Sequence, residues 1–124
     1  MKQYKPVHSG YNAPEDRKEF DTYLQKRLEI DPNDYEALFA LAQNIPKLEE
    51  RLTILNRILS LNPTHTRAIW EKIKALEVLI GQEEPKPHEK IQQCTLSYKQ
   101  IIELCPERPG IREEYKQFLS KNNL

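Results

Sequence analysis

The chain has 124 residues, 38% hydrophobic and 31% charged, with 19 basic and 19 acidic side chains and a formal net charge of zero. That length suits a single domain, and the composition is polar for a globular protein yet too apolar for a disordered one. The charge balance lacks the basic excess by which a dedicated duplex binder neutralises phosphates, so only a local patch could serve nucleic acid.

Residues 1–13 read as an extended N-terminal arm. Lys2, Tyr4, Lys5 and Tyr11 are available there to a partner or a nucleic-acid strand, and a disordered tail is the other reading. Met1 to Tyr11 lacks the apolar core of a secretory signal. No later stretch reaches the roughly 20 apolar residues of a membrane helix. The expectation is a soluble protein, cytoplasmic or in another intracellular compartment.

Residues 14–124 read as one domain of six helices. The first spans 14–30, with Pro14 suited to the first turn and Glu15 and Asp16 favourable to the helix dipole. The second spans about 34–44 and the third about 47–61. In the third, Leu48, Leu52, Leu55 and Leu59 form a stripe, with Ile54, Ile58 and Leu61 beside it. That is too wide for a one-sided surface helix. It should be packed on two sides, with Leu55, Ile58 and Leu59 nearly inaccessible. The fourth spans about 66–81 and ends near Gly81. Gln82 to Pro87, with two prolines and adjacent acids, should be an exposed loop that tolerates change. The fifth spans about 88–104, with Ile91, Cys94, Tyr98, Ile101 and Cys105 three or four apart. The sixth spans about 109–121, with Pro109 in its first turn and Ile111, Tyr115, Phe118 and Leu119 apolar. No segment alternates with period two for long enough to be a strand, so the class is all-α.

Three of these segments repeat a pattern around a proline. Eight residues before Pro32, Pro63 and Pro106 stand Leu24, Leu55 and Tyr98. Four before stand Leu28, Leu59 and Ile102, and two before stand Ile30, Leu61 and Leu104. Five after come Ala37, Ala68 and Ile111. Each proline ends a helix, because it lacks the N–H and disfavours helical backbone in the residue before it. Asn33, Asp34, Thr64, Thr66 and Glu107 are candidates near the caps that follow.

The junction Leu28-Glu-Ile-Asp-Pro-Asn-Asp-Tyr-Glu-Ala-Leu38, continued by Leu41, Ala42 and Ile45, resembles the tetratricopeptide repeat family. Ile69, Ile73 and Leu76 stand at matching offsets from Pro63. The resemblance covers roughly residues 17–119 and implies a short α-solenoid of antiparallel helix pairs. The prolines stand 31 and then 43 residues apart, against a family period of about 34. The first repeat is shortened at Asn44-Ile45-Pro46, and the second is lengthened after Gly81. A weaker resemblance, to the half-a-TPR repeats of RNA-processing scaffolds, rests on Trp70, Ile73, Leu76 and Glu77.

No Gly-rich phosphate loop or nucleophile elbow occurs. Glu49-Glu50 and Glu113-Glu114 are adjacent in sequence, so on helices they do not face each other and read as solvated. His8, His65 and His88 are far apart, and His65 reads as a turn residue. Cys94 and Cys105 read as small core residues without ligand spacing to a histidine. No catalytic group, metal or cofactor is expected. The tetratricopeptide resemblance implies that the first helix of each repeat lines an inner face, which places Glu36, Phe39, Gln43, Arg67, Trp70 and Lys74 in a partner-binding groove. Arg67, Trp70 and Lys74 are three and four residues apart, a spacing that makes a cationic and aromatic clamp for an acidic or aromatic-containing segment. Trp70 also has a second reading, as a filler between the fourth helix and its neighbours. The carboxylate-clamp set of the family is incomplete, since Glu36 has the wrong sign. The expectation is a protein-protein interaction module, scaffold or small structural subunit, with no membrane contact. The alternative is a scaffold subunit of an RNA-processing complex.

Overall fold

The computed structural model describes residues 14–124, with side chains from residue 18 onward. The N-terminal arm lies outside the described residues. Among these residues all regular structure is helical, in six helices: α1 (Pro14–Ile30), α2 (Tyr35–Asn44), α3 (Leu48–Leu61), α4 (Thr66–Gln82), α5 (His88–Leu104) and α6 (Ile111–Lys121). None of them is long and apolar enough to cross a membrane.

The three prolines separate helices as expected, and each following helix starts in its own way. After Pro32, Asp34 caps α2: its Oδ1 accepts the Ala37 N–H at 3.1 Å, while its Oδ2 takes Arg27 Nε at 2.9 Å. After Pro63 the cap is neither threonine. His65 takes that place, its Nδ1 accepting the Ala68 N–H at 3.1 Å. The turn residue of the sequence reading thus satisfies one of α4's unpaired amides. After Pro106 the chain makes a longer turn, and Pro109 lies outside α6. Gly110 precedes Ile111 at φ 89°, a left-handed backbone that glycine adopts without a Cβ penalty.

Each helix packs chiefly against the next one in the chain, from α1 on α2 through to α5 on α6. Two apolar clusters result. The smaller joins Leu38, Phe39, Ala42, Leu55, Ile58 and Ala68. The larger includes Ile69, Ile73, Leu76, Ile91, Cys94, Tyr98, Ile101, Ile111 and Phe118, joined by Leu52 of α3. Helix α3 lies at the seam: Leu55 and Ile58 enter one cluster, Leu52 the other, and Leu59 touches both. The wide stripe is therefore packed on two sides. Leu59 is only partly buried, because it spans the boundary between the clusters.

The apolar residue two before each proline lies at the surface. Ile30, Leu61 and Leu104 are 86%, 40% and 38% exposed, at the last turn of their helices and outside both clusters. Two of the junctions share a contact instead. Arg57 Nη2 donates to the Pro32 carbonyl at 2.8 Å, and Gln100 Nε2 donates to the Pro63 carbonyl at 2.9 Å. Both donors stand six residues before a proline. One sequence position therefore ties a later helix to an earlier proline turn, twice over.

The segment between α4 and α5 is exposed at Glu84, Pro85 and Lys86, and it is anchored at both ends. Glu83 pairs with Lys90 at 3.0 Å. Lys86 Nζ reaches Asn122 Oδ1 at 3.2 Å and the Lys121 carbonyl at 3.5 Å.

Candidate partner-binding site

Helix α4 buries Ala68, Ile69, Ile73, Ala75, Leu76 and Ile80. Arg67, Trp70 and Lys74 lie off that stripe, and α4 brings them to a strip of cations over aromatic rings. The Arg67 guanidinium lies 5.1 Å from the Phe39 ring centroid, across from α4 to α2. His65 stacks on the same Phe39 ring at 5.4 Å, with Tyr35 edge-on to His65 at 6.1 Å. One turn further along α4, Lys74 Nζ stands 4.2 Å from the Trp70 ring centroid. Arg108, from the turn before α6, lies over the same ring at 5.8 Å.

Four of the six expected site residues are thus joined in two pairs, Arg67 with Phe39 and Lys74 with Trp70. Glu36 and Gln43 are exposed on α2. Among the described residues no hydrogen bond or ion pair ties either of them to the strip. Trp70 fills space between α4 and its neighbours and also presents a ring face to two cations. It is half-buried and packs against the larger cluster.

Lys74 is committed within the fold. Its Nζ is 2.7 Å from Glu114 Oε1 on α6 and 3.6 Å from Glu77 Oε1. Burial alone would lower its pKa, but the hydrogen bond to Glu114 and the charges of Glu77 and Glu114 outweigh that and raise it. Such a largely solvated pair contributes about 0.2–1 kcal/mol, yet it uses the charge that was expected to face a partner. The cation missed by sequence reasoning is Arg108. It stands two residues after Pro106, at the offset of Asp34 after Pro32 and His65 after Pro63. The first two cap the helix that follows, whereas Arg108 lies in the longer turn before α6, whose cap is Gly110; the shared offset from proline was the available signal.

Beneath the strip, Tyr98 is fully buried and donates its hydroxyl to Glu77 Oε2 at 2.9 Å. Burial first, and then that bond, push the Tyr98 hydroxyl far above the ordinary tyrosine range. Burial likewise pushes the Cys94 thiol up to about 12, which leaves it without thiolate character at neutral pH. Of the residues shared with half-a-TPR repeats, Ile73 and Leu76 are core and Glu77 serves Tyr98. Among the described residues no group of three or more His, Cys, Asp or Glu side chains is placed to hold a metal ion.

No protein-family model matches the chain, and no curated protein sequence matches it.

Proposed function

We propose that this protein is a non-catalytic protein-interaction module, serving as an adaptor, scaffold or structural subunit of a larger assembly. Its architecture on this reading is a short tetratricopeptide-like solenoid of antiparallel helix pairs. The paired junction bonds from Arg57 and Gln100, at one repeat position, support that architecture. The observation that carries the function is the cation–aromatic strip running from Phe39 and Arg67 to Trp70 and Arg108.

Exposed cation–π contacts contribute only about 0.5–1 kcal/mol each, so the fold gains little from holding two guanidiniums over rings. A partner gains more. A half-buried tryptophan that enters a complementary surface can supply about 2 kcal/mol or more of binding. Its supporting cluster has already fixed the ring, so little ordering remains to be done on association.

The test is capture of partners by the tagged full-length chain, with and without nuclease treatment. Proteins retained after nuclease, and lost when Trp70 is changed to Ala in a chain that still folds, support the proposal. Partners that depend wholly on nucleic acid would replace it with the RNA-scaffold alternative. Equal capture by the Trp70→Ala chain would contradict the strip as the binding surface.

A further inference from the structure

Of the three cations along the strip, one is neutralised and two are not. Lys74 is held by Glu114 and Glu77. Arg67 and Arg108 are exposed, and among the described residues neither enters an ion pair. Each guanidinium instead lies over an aromatic ring, Arg67 over Phe39 at 5.1 Å and Arg108 over Trp70 at 5.8 Å. A ring contact restricts the side chain while leaving edge N–H groups able to donate. Those donors form a planar fork that matches a carboxylate in bidentate fashion. Trp70 stands three residues after Arg67 on α4, a spacing that brings side chains about 5–6 Å apart. An apolar surface is therefore flanked by two pre-positioned carboxylate receptors.

On the basis of the binding strip proposed above, we propose that its partner is an acidic peptide segment. Arg67 and Arg108 take its carboxylates, and an aromatic or aliphatic side chain of the segment lies against Trp70. Lys74 and Glu114 remain paired beneath it. A nucleic-acid strand fits the strip less well. It brings a phosphate with every nucleotide, whereas among the described residues of the strip two cations are unpaired, enough for a short acidic segment. Arg108 is on this account a binding residue, placed by the turn that Gly110 closes.

Trp70 is the only tryptophan in the chain, so its emission reports this site alone. The experiment titrates the full-length protein with a synthetic peptide in which glutamates alternate with phenylalanine and serine. The same peptide with glutamine for glutamate, and a uridine oligomer, are titrated in parallel. The expected result is a saturable change in Trp70 emission with the acidic peptide, weakened by salt. Arg108→Gln, with its helical circular dichroism unchanged, should weaken binding about tenfold or more, the scale of one lost charge-assisted hydrogen bond. Equal affinity for the glutamine peptide would overturn the acidic preference while leaving the strip as a binding surface. Preference for the uridine oligomer, or no response to the acidic peptide, would also overturn it. The capture experiment above decides independently whether the strip binds proteins at all.

Discussion

The two ends of the molecule are held by different means. The part built on α1, α2 and the near side of α3 has a small core that leans on Ala37, Ala42 and Ala68 beside Leu38, Leu55 and Ile58. Polar braces supplement it. Arg27 grips Asp34 at 2.7 Å, Arg51 Nη2 donates to the Ile45 carbonyl at 2.8 Å, and Arg57 holds the Pro32 turn. The part built on α4, α5 and α6 rests on interlocked rings. Tyr98 stacks on Tyr115 at 5.2 Å and meets Phe118 at 5.4 Å, with Trp70 packed on the same cluster. Partly solvated hydrogen bonds are worth about 0.5–1.5 kcal/mol each, whereas a buried aromatic carries several. The first part should therefore open more readily than the second. The strip crosses both, with Trp70 and Arg108 mounted on the firm part and Arg67 of α4 lying over Phe39 of the smaller cluster.

The largest effect expected is at Tyr98. Tyr98→Ala empties a fully buried site and leaves Glu77 without the hydroxyl it accepts from. A loss of about 3–5 kcal/mol is expected in a denaturant titration, and a loss near 1 kcal/mol would remove the contrast between the two parts. Leu55→Ala follows at about 2–5 kcal/mol, because Leu55 is fully buried in the smaller cluster. Hydrogen exchange should show its effect concentrated in α2 and α3, with the amides of α5 changed least.

A third test uses pH. The Ala37 N–H, and then Arg27, hold the Asp34 carboxyl below its ordinary value. Its stabilising contribution is therefore complete above the unfolded carboxylate pKa and is lost as pH falls through the lowered folded value. Acid should speed exchange in α1 and α2 before α5, and Asp34→Asn should flatten that dependence. The smallest perturbation is chemical. A thiol reagent at neutral pH should modify Cys105, which is partly accessible, and spare Cys94, which is buried. Rapid modification of both would show that the larger cluster is open.

Much of the fold was legible because proline acts locally. Pro32, Pro63 and Pro106 each interrupt a strong 3.6-residue apolar pattern, and the helix ends fall within two residues of each expected position on that side. The start of α6 was less legible, since Gly110 sets it through a left-handed turn that Pro109 conceals. His65 as a cap was hidden because imidazole seldom plays that part, although its nitrogen accepts as an oxygen would. The exposure of Ile30, Leu61 and Leu104 was hidden for another reason: periodicity gives the face of a helix, but not where along its length the neighbour stops. In the strip, helical spacing on α4 made Arg67, Trp70 and Lys74 visible as a set. The partners that decide their roles, Glu114 and Arg108, lie about 40 residues away and enter only through tertiary packing.

The most direct test of the central claim, recognition through the strip, reverses its two unpaired cations together. Arg67→Glu with Arg108→Glu should lower the unfolding midpoint only slightly, because each gives up one exposed ring contact and, among the described residues, neither side chain is in an ion pair or in the core. The account predicts that this protein loses the nuclease-resistant partners that the unaltered chain captures. An unchanged set of partners on a folded double variant would contradict it.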